Sequence, residues 1–184
     1  MTATALLVMD VQNSIVARYP DLEYLPRLRS AVDAARAAGV TVVFAGVGFR
    51  PGAPEVSPRN KMFGAMAGRD LGPAAAEATA FHPDVAPHEG DLVVTKRRVS
   101  AFAGSDLEML LRAQGIGHLV LAGIATSGVV LSTVRQAADL DFELTVLADG
   151  CLDNDAEVHR VLTEKVFPRQ ADVVTVAEWV DGLS

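Results

Sequence analysis

The sequence predicts a three-layer α/β/α sandwich built around a six-stranded parallel sheet. Three observations carry this reading. Short apolar runs recur along the chain, and the first is continuous rather than alternating, as a strand covered on both faces is. Segments with apolar residues at helical spacing separate these runs, so right-handed crossovers place helices on both faces of the sheet. Polar residues stand where runs end, Asp10 after the first and Lys96 after the third, which puts them on one edge of a parallel sheet.

Ala3 to Met9 reads as the first strand. From Pro26 to Ala38 the residues Leu28, Val32 and Ala35 repeat at helical spacing, with Gly39 as the stop. Val40 to Ala45 is the second strand. Gly46 to Ala80 differs in character: Gly46, Gly48, Pro51, Gly52, Pro54 and Pro58 punctuate it, and Met62, Phe63 and Met66 supply apolar content. Such a segment reads as a pocket wall or lid, or equally as a surface insertion or oligomer contact. Leu92 to Thr95 is the third strand. Ser105 is expected to cap a helix from Asp106 to Ala113, with Glu108 completing a capping box. His118 to Ala122 is the fourth strand; the turn that follows is built on Gly123, Thr126, Ser127 and Gly128, with Ser127 as an N-cap candidate, and feeds a helix through Val130, Val134 and Ala137. Phe142 to Ala148 is the fifth strand, ending before Asp149-Gly150-Cys151. Asp155 opens a helix carrying Val158, Leu162 and Val166 on one face, Ala171 to Val176 is the sixth strand, and a short helix carries Trp179.

At 184 residues the chain reads as one domain over 1–184, and 50% hydrophobic content makes it globular. No apolar run has the length to span a bilayer, and the N-terminus lacks signal-peptide features. The formal net charge of −7 argues against nucleic acid or an anionic membrane as partner. One cysteine, Cys151, leaves no internal disulfide and fits a cytoplasmic protein. The four histidines show no metal-ligand spacing, and Gly46-Val47-Gly48 lacks the rest of a dinucleotide fingerprint, so neither metal nor cofactor is expected.

Asp10 and Lys96 at a shared edge make a usable acid/base pair: the ammonium holds the carboxylate ionised, or burial pushes it toward the protonated form. Each also has a plainer reading, a turn former and a solvated member of the Lys96-Arg97-Arg98 trio. Leu7-Val8-Met9-Asp10-Val11-Gln12-Asn13, then Val94-Thr95-Lys96 with Ser100-Ala101-Phe102, then Gly123-Ile124-Ala125-Thr126 with Thr133, resemble the isochorismatase-like hydrolase superfamily in family order. The resemblance runs from Leu6 to about Val174. It implies strand order 3-2-1-4-5-6, a homodimer or homotetramer, and a small-molecule substrate. It also assigns Asp10 and Lys96 as catalytic residues, and a cis peptide at Ile124-Ala125, with Thr126, beside an oxyanion or substrate cradle. The family's nucleophilic cysteine falls at Val129, which has no lone pair or proton to offer. Zinc-binding relatives use an Asp and two His after the second strand, and Gly46 to Ala80 contains no histidine.

The pocket is therefore expected at the carboxyl edge, with Gln12, Phe49, Phe63, Phe102, Ser127 and Gly128 lining it. Two functional readings stay open. One is hydrolysis of a small molecule by the Asp10/Lys96 pair without a cysteine nucleophile. The other is an inactive relative that binds a small molecule or a protein. Cys151 would be a substitute nucleophile only if its sulfur faces the same pocket.

Overall fold

The computed structural model describes residues 3–69 and 72–183; Asp70 and Leu71 of the long Gly46 to Ala80 segment, and the two ends of the 1–184 span, lie outside the described residues. Six strands form one sheet: β1 (Ala3–Met9), β2 (Thr41–Val47), β3 (Leu92–Lys96), β4 (Ile116–Ile124), β5 (Glu143–Leu152) and β6 (Asp172–Val174). Their order is β3-β2-β1-β4-β5-β6, and every ladder is parallel. The chain therefore starts in the middle of the sheet and winds outward twice, as expected.

β1 shows why the first run is apolar throughout. Ala5, Leu7 and Met9 enter one core cluster and Leu6 and Val8 the other, with the strand flanked by β2 and β4. Helix α2 (Tyr24–Ala37) covers one face through Leu28, Ala31, Val32 and Ala35, and Pro26 is tolerated in its first turn, where no intrahelical N–H is required. Helices α4 (Leu107–Ala113) and α5 (Leu131–Asp139) cover the other face through Leu107, Leu111, Val134 and Ala137. The remaining helices are α1 (Asn13–Val16), α3 (Gly72–Thr79), α6 (Ala156–Val161) and α7 (Val176–Asp181).

Several boundaries differ from the sequence expectation. β5 continues through Asp149-Gly150-Cys151, because an irregularity between Leu121 and Gly123 lets the ladder resume with Gly123 opposite Cys151. Asp149 is tolerated inside a strand because its carboxylate accepts from the Val176 amide at 2.7 Å and faces Arg27 at 3.7 Å. The capping box is not at Ser105 and Glu108. Asp106 precedes α4, while the Ser105 hydroxyl donates to the Ala101 carbonyl at 2.7 Å. The box forms instead at Thr175 and Glu178, at the start of α7. Asp155 does cap α6, accepting from the Glu157 and Val158 amides, but the helix passes after Val161 into wider and then tighter turns. The Gly46 to Ala80 segment holds α3 and a short 3₁₀ turn at Gly64–Met66.

Candidate active site

The carboxyl edge of the sheet brings the ends of β1, β3 and β4 together. Asp10 follows β1 with φ 57, a left-handed conformation that an aspartate tolerates better than most residues. Its amide donates to the Ala45 carbonyl at 2.8 Å, so the backbone turns against the end of β2. Lys96 ends β3, on the far side of β2, and pairs in register with Val47. Its Nζ nevertheless lies 2.9 Å from Asp10 Oδ2, so the four-carbon stem spans β2 to reach the acid. Nζ also donates to the Arg98 carbonyl at 2.9 Å.

Both partners are buried, Lys96 at 1% exposure and Asp10 at 6%. Burial pushes the Asp10 carboxyl up to about 6, against the pull of Lys96 and of the Val47 amide in the other direction. Burial also lowers the Lys96 ammonium, with Asp10 opposing. The second carboxyl oxygen, Asp10 Oδ1, is buried and has no hydrogen-bond partner. An acceptor left unpaired at a buried ion pair is an unusual feature, because such an atom normally finds a donor.

The β4 end carries the third motif. Ile124-Ala125 is a cis peptide bond. From Thr126 to Val130 the chain makes one wide π-type turn, with Gly128 at φ −98 and ψ −105, before α5 begins. Ser127 is not a helix cap: its amide donates to Asp153 Oδ2 at 2.7 Å. The Gly128 and Val130 amides both donate to the Ala125 carbonyl. Thr126 is fully buried and its hydroxyl lies 2.8 Å from His159 Nδ1. Burial lowers the His159 imidazole, and Asp153 partly opposes this. Asp153 and His159 thus hold the turn from the β5–α6 side, a role no periodicity in the sequence announces.

Gly123 has no substitute here. Its φ is +149, and a Cβ would sit 2.2 Å from the Met9 carbonyl oxygen. The close approach is what sets the turn beside the end of β1.

A cavity of about 450 Å³ adjoins this edge, between α1, the residues after β2 and α3. Gln12, Phe49 and Phe63 line it, and the two rings pack edge to face with centroids 5.4 Å apart. Gln12 is more of a latch than a free recognition group. Its amide exchanges hydrogen bonds with both backbone groups of Val47, each 3.0 Å, and donates to the Thr79 carbonyl. Asp10, Lys96, Phe102, Ser127, Gly128 and Val129 do not line the cavity. Phe102 instead packs on Phe142 in the core, centroids 5.9 Å apart, and Val129 is buried in the same cluster. Ala101 is tied to α5 by a 3.0 Å bond from its amide to the Thr133 hydroxyl, which joins the second and third motifs. Met66, part of the apolar content of the Gly46 to Ala80 segment, also lines the cavity, as do Ile15, Arg18 and Arg50, for which the sequence carries no signal.

Cys151 does not face the cavity. It is buried in β5 opposite Gly123, and burial pushes its thiol up to about 12. Among the described residues, no group of three or more His, Cys, Asp or Glu side chains could hold a metal ion, and no helix is long and apolar enough to cross a membrane.

With this geometry in place, a model of the isochorismatase domain matches residues 4–178. The chain belongs to the isochorismatase family. The uncharacterized isochorismatase family protein YwoC of Bacillus subtilis is 33% identical over 178 residues, covering 97% of this chain and 93% of that protein. The ureidoacrylate amidohydrolase RutB of Stutzerimonas stutzeri is 36% identical over 170 residues, covering 80% of this chain and 68% of that protein. Among solved structures, an isochorismatase family protein from Burkholderia thailandensis superposes with a TM-score of 0.85 at 28% identity, covering 98% of this chain and 95% of the other. The chain is thus an isochorismatase-family hydrolase related to the RutB amidohydrolases.

Proposed function

We propose that the protein hydrolyses a small molecule by proton transfer at Asp10, with Lys96 as the electrostatic partner and no covalent cysteine intermediate. The buried 2.9 Å contact between Lys96 Nζ and Asp10 Oδ2, which leaves Asp10 Oδ1 without a partner, carries this reading. A carboxyl raised to about 6 both accepts and returns a proton near neutral pH. The relationship to RutB favours a bond between a carbonyl carbon and nitrogen. In that reaction Asp10 takes a proton from water as the water oxygen adds to the carbonyl carbon and the carbonyl electron pair moves to oxygen. That pair then re-forms the double bond, the C–N bond breaks, and Asp10 returns the proton to the departing nitrogen.

The transient oxyanion would be met by amides of the β4 turn. Those of Ser127, Gly128 and Val130 are already bonded to Asp153 and Ala125, so the donors would come from Ala125, Thr126 or Val129. The substrate would enter from the cavity walled by Phe49 and Phe63.

Val129 is the observation that favours the second reading, a family member that binds without turnover. A hydrolysis panel of amides, ureas and vinyl ethers separates the two, with wild type run beside Asp10→Asn and Cys151→Ala. Turnover lost in Asp10→Asn and kept in Cys151→Ala is the expected result. Turnover that survives Asp10→Asn sinks the proton-transfer role. Silence across the panel, followed by a gain of amidase activity in Val129→Cys, would favour the binding module.

A further inference from the structure

Among the described residues, the charge on the cavity wall is one-sided. The chain carries a net −7, yet the charged residues described on this wall are both arginines, Arg18 and Arg50. The apolar part of the wall comes from Ile15, Val47, Phe49, Phe63 and Met66. The wall's uncharged polar groups are largely committed elsewhere. Gln12 is bound to Val47 and Thr79, and the Thr79 hydroxyl donates to the Ala75 carbonyl at 2.7 Å.

The two arginines differ. Arg50 lies 3.5 Å from Glu55, a carboxylate it shares with Arg97, also at 3.5 Å. Arg18 is exposed at the cavity and forms no ion pair with any described residue. An arginine guanidinium presents a planar fork of donors that matches a carboxylate with two parallel bonds. We propose that Arg18 makes this cavity selective for small organic acids, with the carboxylate at Arg18 and a flat apolar body against the Phe49–Phe63 pair. This rests on the reading of the Asp10 edge as the reacting end, since it assigns the opposite end of the same substrate.

A matched pair of probes tests it without turnover. Phenylacetate and phenylacetamide have the same shape and differ in charge. Their dissociation constants are measured by titration calorimetry on wild type, Arg18→Gln and Asp10→Asn, at low and high salt. Phenylacetate should bind wild type at least ~10-fold tighter than phenylacetamide, and Arg18→Gln should remove that preference. The preference should persist in Asp10→Asn and shrink with salt. Equal affinity for the two probes in wild type overturns the proposal, as does an anion preference that survives Arg18→Gln, or no detectable binding of either probe. Asp10→Asn keeps the two readings separable. Anion selectivity without Asp10-dependent turnover sinks only the catalytic role, and Asp10-dependent turnover without anion selectivity sinks only the Arg18 role.

Discussion

Asp10 and Cys151 are two titratable groups buried on the same half of the sheet, on strands or strand ends that both flank β4. Burial raises both. Asp10 stops at about 6 because Lys96 opposes the desolvation, and one of its oxygens stays unpaired. Cys151 goes to about 12, with only the Gly123 amide to stabilise a thiolate. Desolvation alone therefore makes an inert group, and desolvation with a fixed counter-charge makes one that titrates where chemistry runs. Gly123 stands between them, in register with Met9 on one side and Cys151 on the other.

The largest effect should come from removing the counter-charge. Lys96→Met leaves a buried carboxylate alone and is expected to lower unfolding free energy by about 3–5 kcal/mol at neutral pH. A carboxyl whose pKa is higher in the folded state stabilises the protein when protonated, and that contribution is lost as pH rises through the folded value. In wild type this window runs from the ordinary aspartate value of 3.8 to about 6, and at 1.36 kcal/mol per pKa unit it is worth about 3 kcal/mol. Lys96→Met should push the window upward, so the variant regains stability on acidification to pH 4. Urea unfolding at several pH values reads this directly, and a deficit that does not shrink in acid would separate Asp10 from the Lys96 effect.

Gly123→Ala should follow. A Cβ there meets the Met9 carbonyl oxygen at 2.2 Å, and φ +149 is strained for any side chain. The loss should be about 3 kcal/mol, since both neighbouring strands must give. Thermal unfolding measures it. A variant as stable as wild type would mean that β1 and β4 part easily, and that the turn is not held beside Asp10 by this contact. His159→Ala should have a smaller effect, about 1–3 kcal/mol, by leaving the buried Thr126 hydroxyl without its partner. His159→Gln should recover part of it.

The legible part of this molecule follows from burial on two faces. β1, β2 and β4 are apolar runs because both sides of each are covered, the edge strand β3 buries only Val94 and Lys96 and leaves Val93 exposed, and Asp10 and Lys96 stand out as polar residues where such runs stop. The same logic misplaced the end of β5. Asp149 looks like a strand terminator, yet Val176 and Arg27 satisfy its carboxylate and the ladder goes on to Leu152. Competing partners also hide the capping pattern. Ser105 does accept from the Leu107 amide at 3.3 Å while donating to the Ala101 carbonyl, but the box with Glu108 does not form, and the Ser127 amide is taken by Asp153, 26 residues away. Phe102 looks like a pocket aromatic by motif and is core by packing on Phe142. Arg18 carries no local signal, because its interest lies in having no ion-pair partner among the described residues.

The smallest effect should be at Cys151. Truncating its buried sulfur with Cys151→Ala removes little volume, and the expected loss is about 1 kcal/mol, with turnover changed less than ~2-fold. The thiol should also resist alkylation in the native protein, because a group pushed up to about 12 offers almost no thiolate at neutral pH. Native mass spectrometry after iodoacetamide treatment checks this, with the unfolded chain as the positive control. Rapid labelling of the folded protein would mean that β5 opens around Gly150 and exposes the sulfur. Asp10 and Cys151 would then differ in access rather than in electrostatics, and the thiol would have to be restored as a candidate nucleophile.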